Sequence, residues 1–139
     1  MLGLRKDAKV ALIKKVPLFA ELSNAQLAQV AAIADEIDVR EGKVLTRQGE
    51  RGREFFILLE GEAGVRRNGR KLATRTPGEF FGEMALVSDL PRIATVTAIT
   101  PVRALVIKDT DFRTLLRRTP QIALNVMQAF AERLPHDAV

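Results

Sequence analysis

The chain has 139 residues, of which 47% are hydrophobic and 28% charged, a composition typical of one globular domain and not of a disordered chain. It contains no cysteine, which excludes disulfide scaffolds, thiolate catalysis and cysteine-ligated metal or iron–sulfur sites. The single histidine, His136, lies at the C-terminal end, a poor position for a catalytic base or a metal ligand. A formal net charge of +5 suits an anionic partner such as a nucleotide, a nucleic acid or an acidic membrane surface. These features argue against an enzyme and against a metal site.

The apolar segments of the chain are short. None approaches the roughly 18–20 residues that cross a bilayer. The N-terminal segment is interrupted by Lys6 and Asp7 and lacks the small-residue cleavage site of a signal peptide. We therefore expect a cytoplasmic domain. The sequence is compatible both with a complete small protein and with a fragment of a channel or a transferase.

The first 36 residues predict helices. Apolar residues recur at helical spacing over 4–15, and Pro17 ends that helix. Ser23 and Gln26 have the spacing of a capping box, and the apolar pattern that follows predicts a second helix over 24–35. We therefore assign 1–36 as an N-terminal helical part of a single domain that spans 1–139.

A different pattern extends from residue 37 to about 108, where short apolar runs are separated by glycines. Asn68-Gly69 lies between two such runs and is the strongest hairpin signal in the chain. Strands at spacings of roughly 8–12 residues predict a β-sandwich or barrel and not a parallel sheet. The predicted strand segments are 44–46, 55–59, 63–66, 71–74, 93–98 and 102–107.

Helical patterns return over 109–134. We expect Asp109 or Thr110 to cap a first helix, and Pro120 to end it and begin a second. The second helix carries Ile122, Val126 and Phe130 near one face. The residues alone therefore predict an α+β fold, in which a β-sandwich or β-roll is bracketed by helices at both ends.

The segment 77–96 carries the chemistry. Gly82 precedes a run of good helix formers, so we expect a tight turn that enters a short helix, with free backbone N–H groups that attract an anion. Arg92 has the planar fork that suits a phosphate, Pro91 fixes the backbone before it, and the small Ala94 leaves room for a ligand. Glu83 can accept a hydrogen bond from a ribose hydroxyl. These residues together predict a site that binds a sugar phosphate at both polar ends.

The same segment resembles a known family. Two blocks separated by four variable residues are similar to the phosphate-binding cassette of cyclic nucleotide-binding domains, which occur in the bacterial catabolite activator, the regulatory subunit of cAMP-dependent protein kinase and cyclic-nucleotide-gated channels. The blocks are Phe81-Gly82-Glu83-Met84-Ala85-Leu86 and Pro91-Arg92-Ile93-Ala94-Thr95-Val96. The positions of Val16-Pro17-Leu18-Phe19, of several glycines and of the closing helices extend the resemblance over most of the chain, which is most similar to the bacterial channel-type domains.

The resemblance implies a jelly-roll-like, eight-stranded antiparallel β-roll over 37–108. It has N-terminal helices, a short helix in the cassette (81–96) and two C-terminal helices over 109–134. Arg92 would pair with the cyclic phosphate, and Glu83 would accept from the ribose 2′-hydroxyl. The ligand-binding residues it implies are Phe81, Gly82, Glu83, Met84, Ala85, Arg92, Ile93, Ala94 and, as an apolar wall for the base, Val65. The last helix would act as a lid through Phe130 or Arg133. Ile93 stands where a hydroxyl residue can favour guanine, so cAMP is expected over cGMP.

The function that follows is a regulatory sensor that binds a cyclic nucleotide, most simply cAMP, and couples this binding to movement of its helices. No cofactor is expected, and the partner would be an effector domain, an effector protein or a channel. An alternative is a module of the same family that has lost its ligand and binds proteins. Basic residues flank the hairpin, but no aromatic residues interleave with them, and no helix-turn-helix follows Leu134, so a nucleic-acid partner is not expected. These basic residues are Arg66, Arg67, Arg70 and Lys71.

Overall fold

The computed structural model describes residues 6–86 and 88–133 of the chain. In this part, helices lie at both ends and strands occupy the middle. The helices are α1 (Lys6–Lys14), α2 (Asn24–Ile33), α3 (Asp109–Arg118) and α4 (Pro120–Arg133), with a 3₁₀ turn at Pro17–Phe19 between α1 and α2. The strands are β1 (Ala34–Val39), β2 (Val44–Thr46), β3 (Glu54–Glu60), β4 (Ala63–Arg67), β5 (Arg70–Arg75), β6 (Phe80–Phe81), β7 (Thr95–Ala98) and β8 (Val102–Lys108).

These strands form two four-stranded sheets in which every neighbouring pair is antiparallel. One sheet has the order β1-β8-β3-β6 and the other has the order β2-β7-β4-β5. The α+β fold and the eight-stranded β-roll between terminal helices are thereby confirmed. Because strands that follow one another in sequence often lie in different sheets, the chain winds around the interior of the roll.

The central strands of the first sheet are buried on both faces. In β3, Phe55 and Ile57 contact the helices, whereas Phe56 and Leu58 face the interior of the roll. This alternation is the two-residue period of a strand. Phe55 stacks on Phe112 of α3, with ring centroids 5.4 Å apart. The sheet is therefore held between a helical layer on one side and the second sheet on the other.

Two local predictions from the sequence are confirmed. Asn68 and Gly69 have φ values of 53° and 78°, as the tight turn between β4 and β5 requires. The Ser23 hydroxyl accepts from the Gln26 backbone N–H (3.1 Å), and the Gln26 side chain accepts from the Ser23 N–H (2.9 Å). The capping box thus fixes the start of α2.

Two predicted boundaries are wrong. The roll begins at Ala34 and not at residue 37, because Ala34–Val39 pairs along its whole length with β8. Asp35 and Glu36 have low strand propensity, and the pairing overrides it. The predicted strand 93–98 begins only at Thr95, because the preceding residues line a cleft and do not join the sheet.

The expected cap of the third helix is also wrong. The N-cap is Lys108, which provides no side-chain hydrogen bond, and Asp109 is the first residue of α3. The Asp109 carboxylate is buried, accepts from the Thr110 N–H (2.7 Å) and lies 3.5 Å from the Arg113 guanidinium. Through these two contacts, Asp109 stabilises the first turn of α3.

The two predicted lid residues belong to α4, but their side chains, those of Phe130 and Arg133, lie outside the described part of the structure. Ile122 and Val126 of the same helix are buried in the helical core, as predicted. None of the helices within 6–86 and 88–133 is both long and apolar enough to cross a bilayer.

Candidate functional site

A cleft opens beside the second sheet, between β4 and the segment that follows β6. All nine ligand-binding residues predicted from the sequence line it. The complete lining is Thr46, Gly52, Val65, Arg75, Phe81, Gly82, Glu83, Met84, Ala85, Leu90, Pro91, Arg92, Ile93, Ala94 and Val96.

The turn into the cassette needs glycine at position 82. Gly82 has a φ of 83°, a left-handed conformation that L side chains rarely adopt. An added Cβ would also lie 2.7 Å from the Glu54 carbonyl oxygen. The turn leads into a single 3₁₀ turn at Glu83–Leu86, in which the Ala85 N–H donates to the Gly82 carbonyl (3.2 Å). This conformation brings the backbone of 82–85 to the surface of the cleft.

Arg92 faces this turn and is held by backbone carbonyls. Its Nη1 donates to Gly82 O (3.2 Å) and its Nη2 donates to Glu54 O (2.7 Å). Burial lowers the pKa of Arg92, and the nearby carboxylates of Glu54 and Glu83 act in the opposite direction. An arginine remains charged in such a setting. The cleft therefore contains a fixed, partly desolvated cation next to the glycine turn.

The backbone of Arg92 is fixed as firmly as its side chain. Its N–H donates to Glu50 O and its carbonyl accepts from Gly49 N–H, both at 2.9 Å. Gly52 lies against the guanidinium, and a Cβ added there would be 1.9 Å from Arg92 Nε. The loop between β2 and β3 thus forms the support on which Arg92 rests.

Much of the remaining lining of the cleft is apolar. Val65, Phe81 and Val96 are buried and belong to the core of the roll. Ile93 and Leu90 are 52% and 67% exposed at the rim of the cleft. A fixed cation, an apolar wall and exposed apolar residues in one cleft suit a ligand that has an anionic part and a flat apolar part.

The cassette is joined to the C-terminal helices through Arg113 of α3. Its Nη2 donates to the Ala85 carbonyl (2.9 Å), and the same guanidinium lies 3.5 Å from buried Asp109. The hydrogen bond therefore connects the lining of the cleft with α3.

Four residues that line the cleft belong neither to the nine predicted ligand-binding residues nor to the two cassette blocks, and sequence reasoning missed them. They are Thr46, Gly52, Arg75 and Leu90. Gly52 is one of the glycines that separate the predicted strands, and Arg75 lies just beyond the predicted strand 71–74 in no motif. No group of three or more acidic or histidine side chains within the described residues could hold a metal ion. The arrangement is suited to binding an anionic ligand.

The comparison with known families agrees with this site. The family model described as "Cyclic nucleotide-binding domain" matches residues 36–119, which include the cleft and nearly all of the roll. The chain belongs to the cyclic nucleotide-binding domain family.

Individual relatives have regulatory roles in their names. The chain is 41% identical over 113 residues to a cyclic nucleotide-gated potassium channel of Mesorhizobium japonicum, covering 81% of this chain and 31% of the channel. It is 44% identical over 90 residues to the cAMP-dependent protein kinase regulatory subunit of Mycosarcoma maydis, covering 60% of this chain and 17% of the subunit. The chain thus spans about a third or less of these relatives.

A solved structure agrees in fold. The catabolite activator protein of Thermus thermophilus superimposes with a TM-score of 0.78 at 30% identity, over 84% of this chain and 57% of that protein. This similarity supports the same β-roll fold.

Proposed function

We propose that this domain binds cAMP and acts as a regulatory sensor whose helices respond to the ligand. The observation that carries the proposal is that Arg92, Glu83 and Val65 line one cleft. Val65 is distant in sequence from the other two, and the fold brings it to the cassette. Relatives named as cyclic nucleotide-gated or cAMP-dependent proteins support the ligand class. The chain itself would supply binding and not catalysis.

In this proposal the cyclic phosphate lies against Arg92 and the backbone of the Gly82 turn. Glu83 accepts from the ribose 2′-hydroxyl, and the base lies against Val65 under the rim formed by Leu90 and Ile93. The fork of Arg92 suits two phosphate oxygens, and its fixed position reduces the ordering cost of binding. Because Ile93 has no hydroxyl to offer a guanine, we expect cAMP to bind more tightly than cGMP.

The alternative is a module of the same fold that binds proteins and no nucleotide. It is less favoured, because the cleft retains both a held cation at Arg92 and a carboxylate at Glu83. A partly desolvated cation in a cleft, such as Arg92, is typical of functional sites. The effector is an attached domain, a separate protein or a channel in this proposal, and the cytoplasmic location stays a prediction.

Titration calorimetry with cAMP and cGMP side by side tests the ligand. A ligand that binds only the folded state adds about 2.7 kcal/mol to the free energy of unfolding at a hundredfold excess over Kd. We expect cAMP to raise the melting temperature by several degrees. The linear nucleotide 5′-AMP is the matched control, and 2′-deoxy-cAMP should bind more weakly because Glu83 loses its partner. Absence of heat and of any shift at millimolar cAMP and cGMP would favour the module without a nucleotide.

Coupling to the helices is tested by hydrogen exchange with and without cAMP. A ligand can shift a helix only if it binds one arrangement better than the other. We expect cAMP to protect amides at 81–96 and also in α3 and α4. Arg113→Met removes the bond to Ala85 O, so it should keep the protection at 81–96 and lose most of that in α3. Unchanged exchange of both helices in the parent protein would contradict the coupling.

A further inference from the structure

Gln48 lies where three segments of the roll meet. Its backbone N–H donates to the Thr95 hydroxyl, near the end of the cassette (2.9 Å). Its side chain donates from Nε2 to Asn68 Oδ1 and accepts at Oε1 from the Asn68 backbone N–H, both at 2.8 Å. This pair of hydrogen bonds joins the loop after β2 to the turn between β4 and β5, and we call Gln48 and Asn68 the hairpin clasp.

The side chain of Asn68 has a use beyond its turn. Asn68 is the one non-glycine residue with a positive φ (53°) in the part of the chain that the structure describes. Glycine adopts this conformation at no steric cost, and aspartate tolerates it as asparagine does. The turn alone would therefore accept glycine at position 68. What glycine would not supply is the Oδ1 acceptor that Gln48 Nε2 uses.

Both ends of the hairpin clasp lead to the cleft, although neither Gln48 nor Asn68 lines it. On one side, Gly49 follows Gln48, and its N–H donates to the Arg92 carbonyl (2.9 Å). On the other side, Asn68 lies three positions after Val65, which lines the cleft from β4. The hairpin clasp therefore connects the loop that holds the backbone of Arg92 with the hairpin that carries Val65.

We propose that Gln48 and Asn68 are positioning residues, which fix Arg92 relative to Val65 before the ligand arrives and so raise the affinity for a cyclic nucleotide without touching it. This inference rests on the proposed function. A site that is only partly in its binding-competent arrangement has an apparent Kd raised by the inverse of the competent fraction. Opening the hairpin clasp lets the loop and the hairpin move independently, which lowers this fraction.

The hairpin clasp lies at the surface, and this permits a test without unfolding. Both of its hydrogen bonds are exposed to solvent. Groups freed by a substitution there bond to water, so no buried donor or acceptor is left without a partner. We therefore expect the variants below to have melting temperatures close to that of the parent.

The experiment measures the Kd of cAMP by calorimetry on the parent chain and three single variants. Gln48→Ala removes both hydrogen bonds and should weaken binding roughly five- to tenfold, the effect of two neutral hydrogen bonds. Asn68→Gly keeps the turn and the backbone N–H but removes Oδ1, so the loss should be about threefold. Asn68→Asp is the matched control, because its carboxylate still accepts from Gln48 Nε2, and its Kd should stay within about twofold of the parent.

Two double variants show the route of the effect. Asn68→Gly should cost almost nothing further in a Gln48→Ala background, because the bond that it removes is already absent. Gln48→Ala should cost much less in an Arg92→Ala background, where there is no guanidinium to position.

Four results would overturn the inference. A Gln48→Ala variant with the Kd of the parent would mean that the hairpin clasp has no role in binding. Equal losses in Asn68→Asp and Asn68→Gly would mean that the turn matters and the bond to Gln48 does not. A fall in melting temperature that accompanies each loss would assign the effect to folding. A full loss from Gln48→Ala in the Arg92→Ala background would mean that Gln48 does not act through Arg92. Failure of the parent to bind any cyclic nucleotide is a different result, because it contradicts the proposed function itself.

Discussion

Arg92→Ala is expected to weaken cAMP binding by roughly 30-fold to several-thousand-fold, since removing one partner of a desolvated charge pair costs about 2–5 kcal/mol. The guanidinium is held by Gly82 O and Glu54 O before any ligand arrives. The Arg92 side chain of the parent protein therefore loses little conformational entropy when it binds the phosphate. The variant lacks both the positive charge and this alignment.

Calorimetric titration of cAMP into parent and variant measures this loss. Arg92→Lys should recover little affinity, because an ammonium group cannot reproduce the two parallel bonds of the fork. Arg51→Ala removes an exposed arginine of the neighbouring loop that does not line the cleft, and is the matched control for net charge. Thermal melting separates binding from folding, since Arg92 also bonds two carbonyls. Affinity within threefold of the parent would show that Arg92 does not hold the phosphate.

The cassette could be predicted from the sequence because its determinants are local. Gly82, Glu83 and Arg92 lie within eleven positions of one another, and a tight turn followed by a short helix depends on neighbouring residues. Val65 was placed through a family resemblance, and its meeting with the cassette requires the pairing of β4 with β7. The residues within the cassette could therefore be predicted from the sequence. The approach of Val65 to the cassette could be predicted only from the family resemblance or seen in the structure.

Gly52 and Arg75 show why the remainder could not be predicted. Gly52 lies forty positions from Arg92, and its contact with the guanidinium exists only because the loop between β2 and β3 folds over the cassette. An arginine that ends a strand has no periodicity that reveals which face it occupies. The N-terminal boundary at Ala34 was missed for the same reason, since only the ladder with β8 makes an acidic segment a strand.

We expect the substitution Gly52→Ala to lower the affinity for cAMP, because Gly52 lies against the Arg92 guanidinium. The φ of Gly52 is not in the left-handed region, so alanine adds no backbone strain. Its Cβ would lie 1.9 Å from Arg92 Nε and 2.4 Å from Arg92 Cζ. Because these atoms belong to a flexible side chain, the guanidinium can move away without unfolding the protein. We expect a melting temperature close to that of the parent and an affinity lower by on the order of tenfold or more, because the charge is no longer aligned.

A double-mutant cycle shows whether this loss acts through Arg92. If it does, Gly52→Ala should cost almost nothing further in an Arg92→Ala background, where there is no guanidinium to displace. Gly64→Ala is the matched control, because its added Cβ would meet only the end of the Ile99 side chain, at 3.3 Å, and Gly64 does not line the cleft. Calorimetry on the four combinations gives the coupling. Additive losses would mean that Gly52→Ala affects binding without acting through Arg92. The contact of this loop with Arg92 would then have no role in binding.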